Sequence, residues 1–265
     1  LGSRRQDVIV VTKFGVGYQE AAPTYRDSSR QRIMDSVEKS LQNLHTDYVD
    51  VYLVHWPDIE TPLEETMRAL DDMVQQGKTR FVGVSNFRLQ QIETCMQTRR
   101  IDVVQYGWNM LDRRISQDIH PYCQAQGIGV MAYGSLAYGM LTGAFTPDMA
   151  FDEGDWRARQ GRMGAISLFQ HLFGPDHFDR NLQAVTDLKA MATEYGKTLP
   201  QFALRWALSN PVIHVALVGC RTPTEVEDNV GALGWSISEA DMAEIDAIFA
   251  QHGVETMPDY WIEND

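Results

Sequence analysis

Apolar positions along the chain fall into two alternating textures. Six short, β-branched runs, at residues 8–14, 49–55, 81–85, 103–106, 128–133 and 214–219, are apolar at nearly every position. That is the pattern of strands buried on both faces rather than the in-out alternation of a half-exposed sheet. Between and beyond them, residues 30–44, 62–76, 89–97, 117–126, 179–195, 200–209 and 223–233 carry apolar residues at helical spacing, which predicts amphipathic helices. Strict alternation of the two textures implies a parallel sheet with right-handed crossovers.

Local punctuation agrees with this reading. Thr61-Pro62-Leu63-Glu64 and Thr222-Pro223-Thr224-Glu225 each combine an N-cap threonine, a proline at the first helical position and a capping-box glutamate. Ser238 with Asp241 opens a C-terminal helix over 238–252. Six strands are too few to close an eight-stranded barrel. Either two βα units precede Leu1, or the sheet is open and doubly wound; the pattern leaves both open. The interval 142–177 has no sustained period and mixes glycine, proline and arginine with aromatics. It is predicted as a long loop over the C-terminal edge of the sheet, with room for one short helix. At 265 residues, with no internal repeat, a single domain over 1–265 is the simplest partition.

Composition narrows the function classes. Lys and Arg total 23 against 36 Asp and Glu, for a net charge of −13. No basic stripe forms, so nucleic acid is not an expected partner. No segment has the roughly 20 consecutive apolar residues of a membrane span. Cys95, Cys123 and Cys220 are far apart, with no C-x-x-C pair and no histidine at metal-ligand spacing. They fit a reducing cytoplasm and give no metal site, while a homo-oligomer stays open.

In parallel α/β folds ligands sit beyond the C-terminal ends of the strands. Those ends are Lys13, His55, Ser85-Asn86, Gln105, Tyr133 and Gly219, a cation, an imidazole, a hydroxyl, two amides and a phenol directed to one edge. Each has a plainer reading: Lys13 as a surface lysine, His55 as a satisfied structural histidine, Ser85 and Asn86 as caps for the helix near Leu89, Tyr133 as an ordinary strand-end aromatic. The Gly219–Pro223 turn leads into a capped helix whose free N–H groups suit an anion, though Glu225 and Asp228 in its first turns oppose one. No G-x-G-x-x-G follows the first strand. Gly15-Val16-Gly17 lacks the third glycine, and Pro23 predicts an open loop there.

The strings Thr12-Lys13, Leu53-Val54-His55-Trp56-Pro57, Gly83-Val84-Ser85-Asn86-Phe87 and Tyr133-Gly134-Ser135-Leu136, continuing through Gly139-Met140-Leu141-Thr142-Gly143 and Gly219 to Asn229, stand in the order and spacing of aldo-keto reductases. The chain resembles that family over nearly its whole length, and looks most like the bacterial branch that includes inositol-cluster reductases. The resemblance implies a (β/α)8 TIM barrel that binds NADPH and reduces an aldehyde or ketone to an alcohol. It implies that Lys13 lowers the pKa of a catalytic tyrosine and that His55 orients the substrate carbonyl. Ser85, Asn86 and Gln105 would hold the nicotinamide carboxamide, and Tyr133 would stack on the ring. The rest of the cofactor site would be Gly134, Ser135, Leu136, Gly139, Leu141, Gly219, Thr222 and Glu225, with Arg221 on the adenosine 2′-phosphate and Asp228 and Asn229 at the adenine.

The family's catalytic set is an aspartate, a tyrosine, a lysine and a histidine, of which Lys13 and His55 are present. The other two are expected upstream of Leu1, with two βα units; Tyr18 and Tyr25 are poor substitutes on a loop. Two function classes therefore stand: an NADPH-dependent carbonyl reductase, and a catalytically impaired nicotinamide-nucleotide-binding module or regulatory subunit of a larger assembly. A metal-dependent barrel hydrolase has little support, since the strand ends offer a single histidine.

Overall fold

The computed structural model of the chain describes residues 2–19, 22–159 and 169–256. Most of the strands and helices fall where the two textures predict. They run β1 (Val11–Phe14), β2 (Val16–Gln19), β3 (Ala22–Arg26), α1 (Arg30–Leu44), β4 (Val49–Val54), α2 (Leu63–Gln75), β5 (Thr79–Ser85), α3 (Leu89–Thr98), β6 (Val103–Gly107), α4 (Ile119–Gln126), β7 (Gly129–Tyr133), α5 (Gln170–Phe173), α6 (Phe178–Glu194), α7 (Leu199–Ala207), β8 (Ile213–Ala216), α8 (Pro223–Val230) and α9 (Glu239–His252). The main sheet has the order β1-β4-β5-β6-β7-β8. Strands in chain order exclude the doubly wound alternative, which requires the order to reverse at a switch point.

The chain divides into two compact units. One comprises Leu1–Tyr106 with Asp118–Val130, the other Gly107–Gln117 with Met131–Ile262. In the first unit β1, β4, β5 and β6 pair in parallel, with Lys13 opposite Leu53, Leu53 opposite Gly83 and Ser85 opposite Gln105. All six residues of β4 are buried, which is why its sequence shows no alternation. Helix α1 buries Ile33, Val37 and Leu41, one residue per turn, and α2 buries Met67, Leu70 and Met73. Gly83 is required where it stands, because a Cβ there would lie 1.8 Å from the Val103 carbonyl oxygen.

In the second unit the indoles of Trp108 and Trp206 stack with centroids 5.2 Å apart, and Arg113 lies over Trp206 while pairing with Asp246 at 2.7 Å. Helix α9 opens on Ser238, whose hydroxyl accepts from Asp241 N at 3.0 Å, as its sequence predicts.

Several expectations are corrected. The first strand begins at Val11 rather than Val8, because the Val10 N–H is taken by the Asp50 carboxylate at 2.8 Å. The last ends at Ala216 rather than Gly219. The segment after Lys13 is no open loop but an antiparallel ribbon, with Val16 opposite Arg26 and Gly17 opposite Tyr25. Gly17 makes it possible, since a Cβ there would lie 2.1 Å from the Tyr25 ring. Thr61 does not cap α2: its hydroxyl donates to Asp58 Oδ2 at 2.6 Å, leaving Pro62 in the cap position without a side-chain bond. The interval 142–177 holds a short 3-10 turn, Trp156–Arg159, and helix α5. Its aromatic residues Phe145, Phe151, Trp156, Phe169 and Phe173 pack on one another.

Candidate active site

Four strand ends of the first unit are linked into one polar chain. Lys13 Nζ donates to Gln105 Oε1 at 2.8 Å. Ser85 Oγ donates to the Gln105 carbonyl at 2.8 Å, and Asn86 Nδ2 donates to Ser85 Oγ and to the His55 carbonyl, both at 3.0 Å. In a flat sheet β1 and β6 would lie three strand spacings, about 14 Å, apart. Side chains from the two can meet tip to tip only where the sheet curls toward that face. The linkage is therefore a consequence of barrel-like curvature as well as of residue type.

Burial sets the chemistry of these groups. Ser85, Asn86 and Gln105 are buried, and each meets a partner, as buried polar atoms must. Burial lowers the Lys13 pKa below its ordinary value. It also lowers that of His55 to about 4, with the Lys13 charge acting in the same direction. The imidazole is accordingly neutral at physiological pH and able to donate or accept one hydrogen bond. Asn86 takes a left-handed backbone, φ 63°, which turns its amide back toward β4. The simpler expectation that Ser85 or Asn86 caps α3 is corrected: the Gln91 side chain accepts from Arg88 N at 2.8 Å and closes that helix end.

In the second unit, Tyr133 ends β7 and its phenol is met by the Gly107 backbone N–H and by Arg114 Nη2 at 3.4 Å. Burial raises the phenol above its ordinary pKa, with Arg114 opposing that rise. The segment from Gly134 to Gly143 is a tight series of turns with positive φ at Gly134, Ala137, Tyr138, Gly139 and Gly143. Within it Ala137 N donates to Gly134 O at 2.7 Å, Leu141 N to Leu136 O at 3.1 Å and Ser135 Oγ to Ala132 O at 3.2 Å. Ser135 and Leu141 are buried.

At the start of α8, Thr222 caps the helix by accepting from Glu225 N at 3.2 Å. The reciprocal half of the expected capping box goes elsewhere. Glu225 Oε2 accepts from Arg221 N at 2.6 Å and Oε1 from Arg221 Nη2 at 3.2 Å. Arg221 is exposed, so the cation expected to meet a phosphate is here tied to a carboxylate. Asp228 accepts from Gln201 Nε2 at 3.0 Å, Asn229 Nδ2 approaches Cys220 Sγ at 3.3 Å, and Gly219 is exposed.

Sequence reasoning missed Asp112 and Arg114, a buried ion pair at 3.2 Å beside Tyr133. The available signal was a run of three charges, Asp112, Arg113 and Arg114, set directly between apolar Met110-Leu111 and Ile115. Among the described residues no group of three or more His, Cys, Asp and Glu is placed to hold a metal ion.

The donor set suits a nicotinamide carboxamide. Lys13 occupies Gln105 Oε1 and so fixes which way that amide faces, with its Nε2 making no hydrogen bond among the described residues. A neutral amide donor beside a buried hydroxyl and a second amide matches a neutral carboxamide, which offers one acceptor and two donors.

Parallel strands in chain order, with the polar residues gathered at their C-terminal ends, are the mark of (β/α)-barrel proteins, and the solved structures agree. The glycerol dehydrogenase AKR11B4 from Gluconobacter oxydans superposes with a TM-score of 0.82 at 31% identity, over 96% of this chain and 75% of that one. The model of the aldo/keto reductase family matches residues 1–250, and the chain belongs to that family. It is 34% identical to aldo-keto reductase YhdN of Bacillus subtilis (strain 168), over 92% of this chain and 71% of that protein. It is 29% identical to the NADH-specific methylglyoxal reductase of Escherichia coli (strain K12), over 89% and 73%. Among the described residues no helix is long and apolar enough to cross a membrane.

Proposed function

We propose that the chain, acting as one barrel domain over residues 1–265, binds NADPH and reduces a small aldehyde or ketone to the alcohol. The observation that carries this reading is the hydrogen-bonded chain Lys13–Gln105–Ser85–Asn86 with the His55 backbone. It holds an ammonium, two amides and a hydroxyl at adjacent strand ends, and such fixed polar groups are what a hydride-transfer site requires. The reduced nicotinamide supplies the hydride. Ser85, Asn86 and Gln105 bind and orient the carboxamide, and Tyr133 offers its ring face to the nicotinamide.

His55 is neutral above a pH of about 4. It donates a hydrogen bond to the substrate carbonyl oxygen, favouring the charge that develops there. Lys13 places positive charge beside the same centre while anchored to Gln105. Neutral His55 keeps its proton, so the proton that completes the alcohol comes from the tyrosine that the family resemblance implies, with the Lys13 charge favouring its release. Arg221 meets the 2′-phosphate by exchanging its Glu225 partner, the feature that would favour NADPH over NADH.

Absorbance of the reduced nicotinamide with a panel of aldehydes and ketones, run beside a fluorescence titration of NADPH, tests the reading. Turnover dependent on His55 is the expected result. Binding without turnover of any carbonyl would reassign the chain as a nucleotide-responsive module or subunit, and failure to bind any nicotinamide nucleotide would end both readings.

A further inference from the structure

Asp112 and Arg114 are not among the expected site residues, yet their ion pair lies against one that is, Tyr133. Both side chains are nearly fully buried, at 8% and 4% exposure, a costly place for charge unless geometry repays it. The room for them is made by a glycine. A Cβ on Gly107, the last residue of β6, would lie 2.4 Å from Asp112 Oδ2 and 2.9 Å from Arg114 Nη2.

The intervening turn is itself tied to the end of β7. Asn109 exchanges backbone hydrogen bonds with Asp112 at 3.1 Å, and its side chain donates to the Gly134 carbonyl at 2.9 Å. The guanidinium thus arrives at the Tyr133 hydroxyl on a fixed support, and the Gly107 N–H meets the same oxygen.

We infer that Arg114, oriented by Asp112, is a positioning residue that fixes the Tyr133 ring as a rigid plate for the nicotinamide. A tyrosine at a strand end has two free torsions; pinning its hydroxyl removes the swing of the ring about them. The ring then meets the flat face of the nicotinamide without first losing rotamer freedom, the usual gain from preorganisation. Arginine suits this task over lysine because its planar fork can serve a carboxylate and a phenol in one plane.

The inference rests on the proposed nicotinamide site, and its test separates the two. Dissociation constants are measured by fluorescence titration on the whole chain for NADPH and for adenosine 2′,5′-bisphosphate, which lacks the nicotinamide half. Arg114→Met is expected to weaken NADPH about tenfold and to leave the bisphosphate unchanged, while Arg114→Lys recovers part of the loss. A purely structural ion pair would weaken both ligands together, or neither, and either result overturns the inference. Tyr133→Phe removes the same hydrogen bond without touching the ion pair, and keeps the test alive should Arg114→Met fold poorly. It should weaken NADPH several-fold, and in its background a further Arg114→Met change should add little. No effect of Tyr133→Phe, or full additivity, sinks the positioning role. If the unaltered chain binds the bisphosphate but not NADPH, the nicotinamide site itself is wrong and this role falls with it.

Discussion

The ionisation of His55 is the most exacting consequence of the site's geometry. Burial, aided by the Lys13 charge, lowers its pKa from an ordinary 6.5 to about 4. At about 1.36 kcal/mol per pK unit that difference is worth roughly 3 kcal/mol, and about 2 kcal/mol once partial solvent access is allowed for. The sign follows from linkage. Between pH 6.5 and 4 the unfolded chain takes up a proton that the folded chain refuses, so the stability His55 contributes is complete above pH 6.5 and is lost as pH falls toward 4. At pH 6 an ordinary histidine is roughly three-quarters protonated, whereas His55 should be about 1% protonated. Ring-proton NMR with His55→Gln for assignment measures this directly. Lys13→Met should raise the His55 pKa but leave it below 6.5, because burial is the larger cause. Titration of His55 near 6.5, or no upward movement in Lys13→Met, would refute the account and remove the neutral donor from the proposed mechanism.

Three further outcomes are expected. Gly83→Ala forces a Cβ to 1.8 Å from the Val103 carbonyl oxygen and should destabilise by about 3 kcal/mol or more; urea denaturation unchanged from the parent chain would contradict the close packing of β5 on β6. Glu225→Gln releases Arg221 from its carboxylate and should tighten NADPH severalfold while leaving NADH alone, so an equal change for the two cofactors in titrations would dissociate Arg221 from the 2′-phosphate. The Asp58 carboxylate is buried, which pushes its pKa up, but bonds from Thr61, Ser28 and Glu60 outweigh burial and hold it below the ordinary value. Its contribution is therefore present above the ordinary carboxylate range and lost in acid; Asp58→Asn should cost about 2 kcal/mol at neutral pH, and a loss under about 0.5 kcal/mol in equilibrium unfolding would show the bonds to be incidental.

The reach and the limits of the sequence are both visible in particular residues. Helix α1 spans Arg30–Leu44, the range its periodicity predicts, because one apolar residue per turn suffices to define a buried stripe. The ends of β1, β4, β5, β6 and β7 were legible to within a residue because a polar residue after a β-branched run changes the texture abruptly, whereas β8 stops at Ala216, short of Gly219. The two Thr-Pro-x-Glu sequences were not separable by the same means. One threonine caps its helix and the other gives its hydroxyl to Asp58, a choice made by a neighbouring carboxylate and not by the local string. Ribbon β2–β3 was hidden for a similar reason: its glycines and proline suggest a loop, and pairing across the strands overrides them.

The candidate site shows the same division at a deeper level. Residue types at the strand ends nominate Lys13, His55, Ser85, Asn86 and Gln105 one at a time, and each has an ordinary structural job that would explain it equally well. What supports the proposed common role is that these groups satisfy one another, Lys13 and Gln105 meeting across 92 residues of chain. An isolated lysine at a strand end would retain its rotamer entropy; one fixed on an amide gives much of it up. Because the Gln105 amide is oriented by that contact, the direction of its remaining donor is set by a residue far away in sequence. Changing Lys13 should therefore disturb the binding of a neutral carboxamide as well as the chemistry of a nearby carbonyl, a coupling no list of strand-end residues contains.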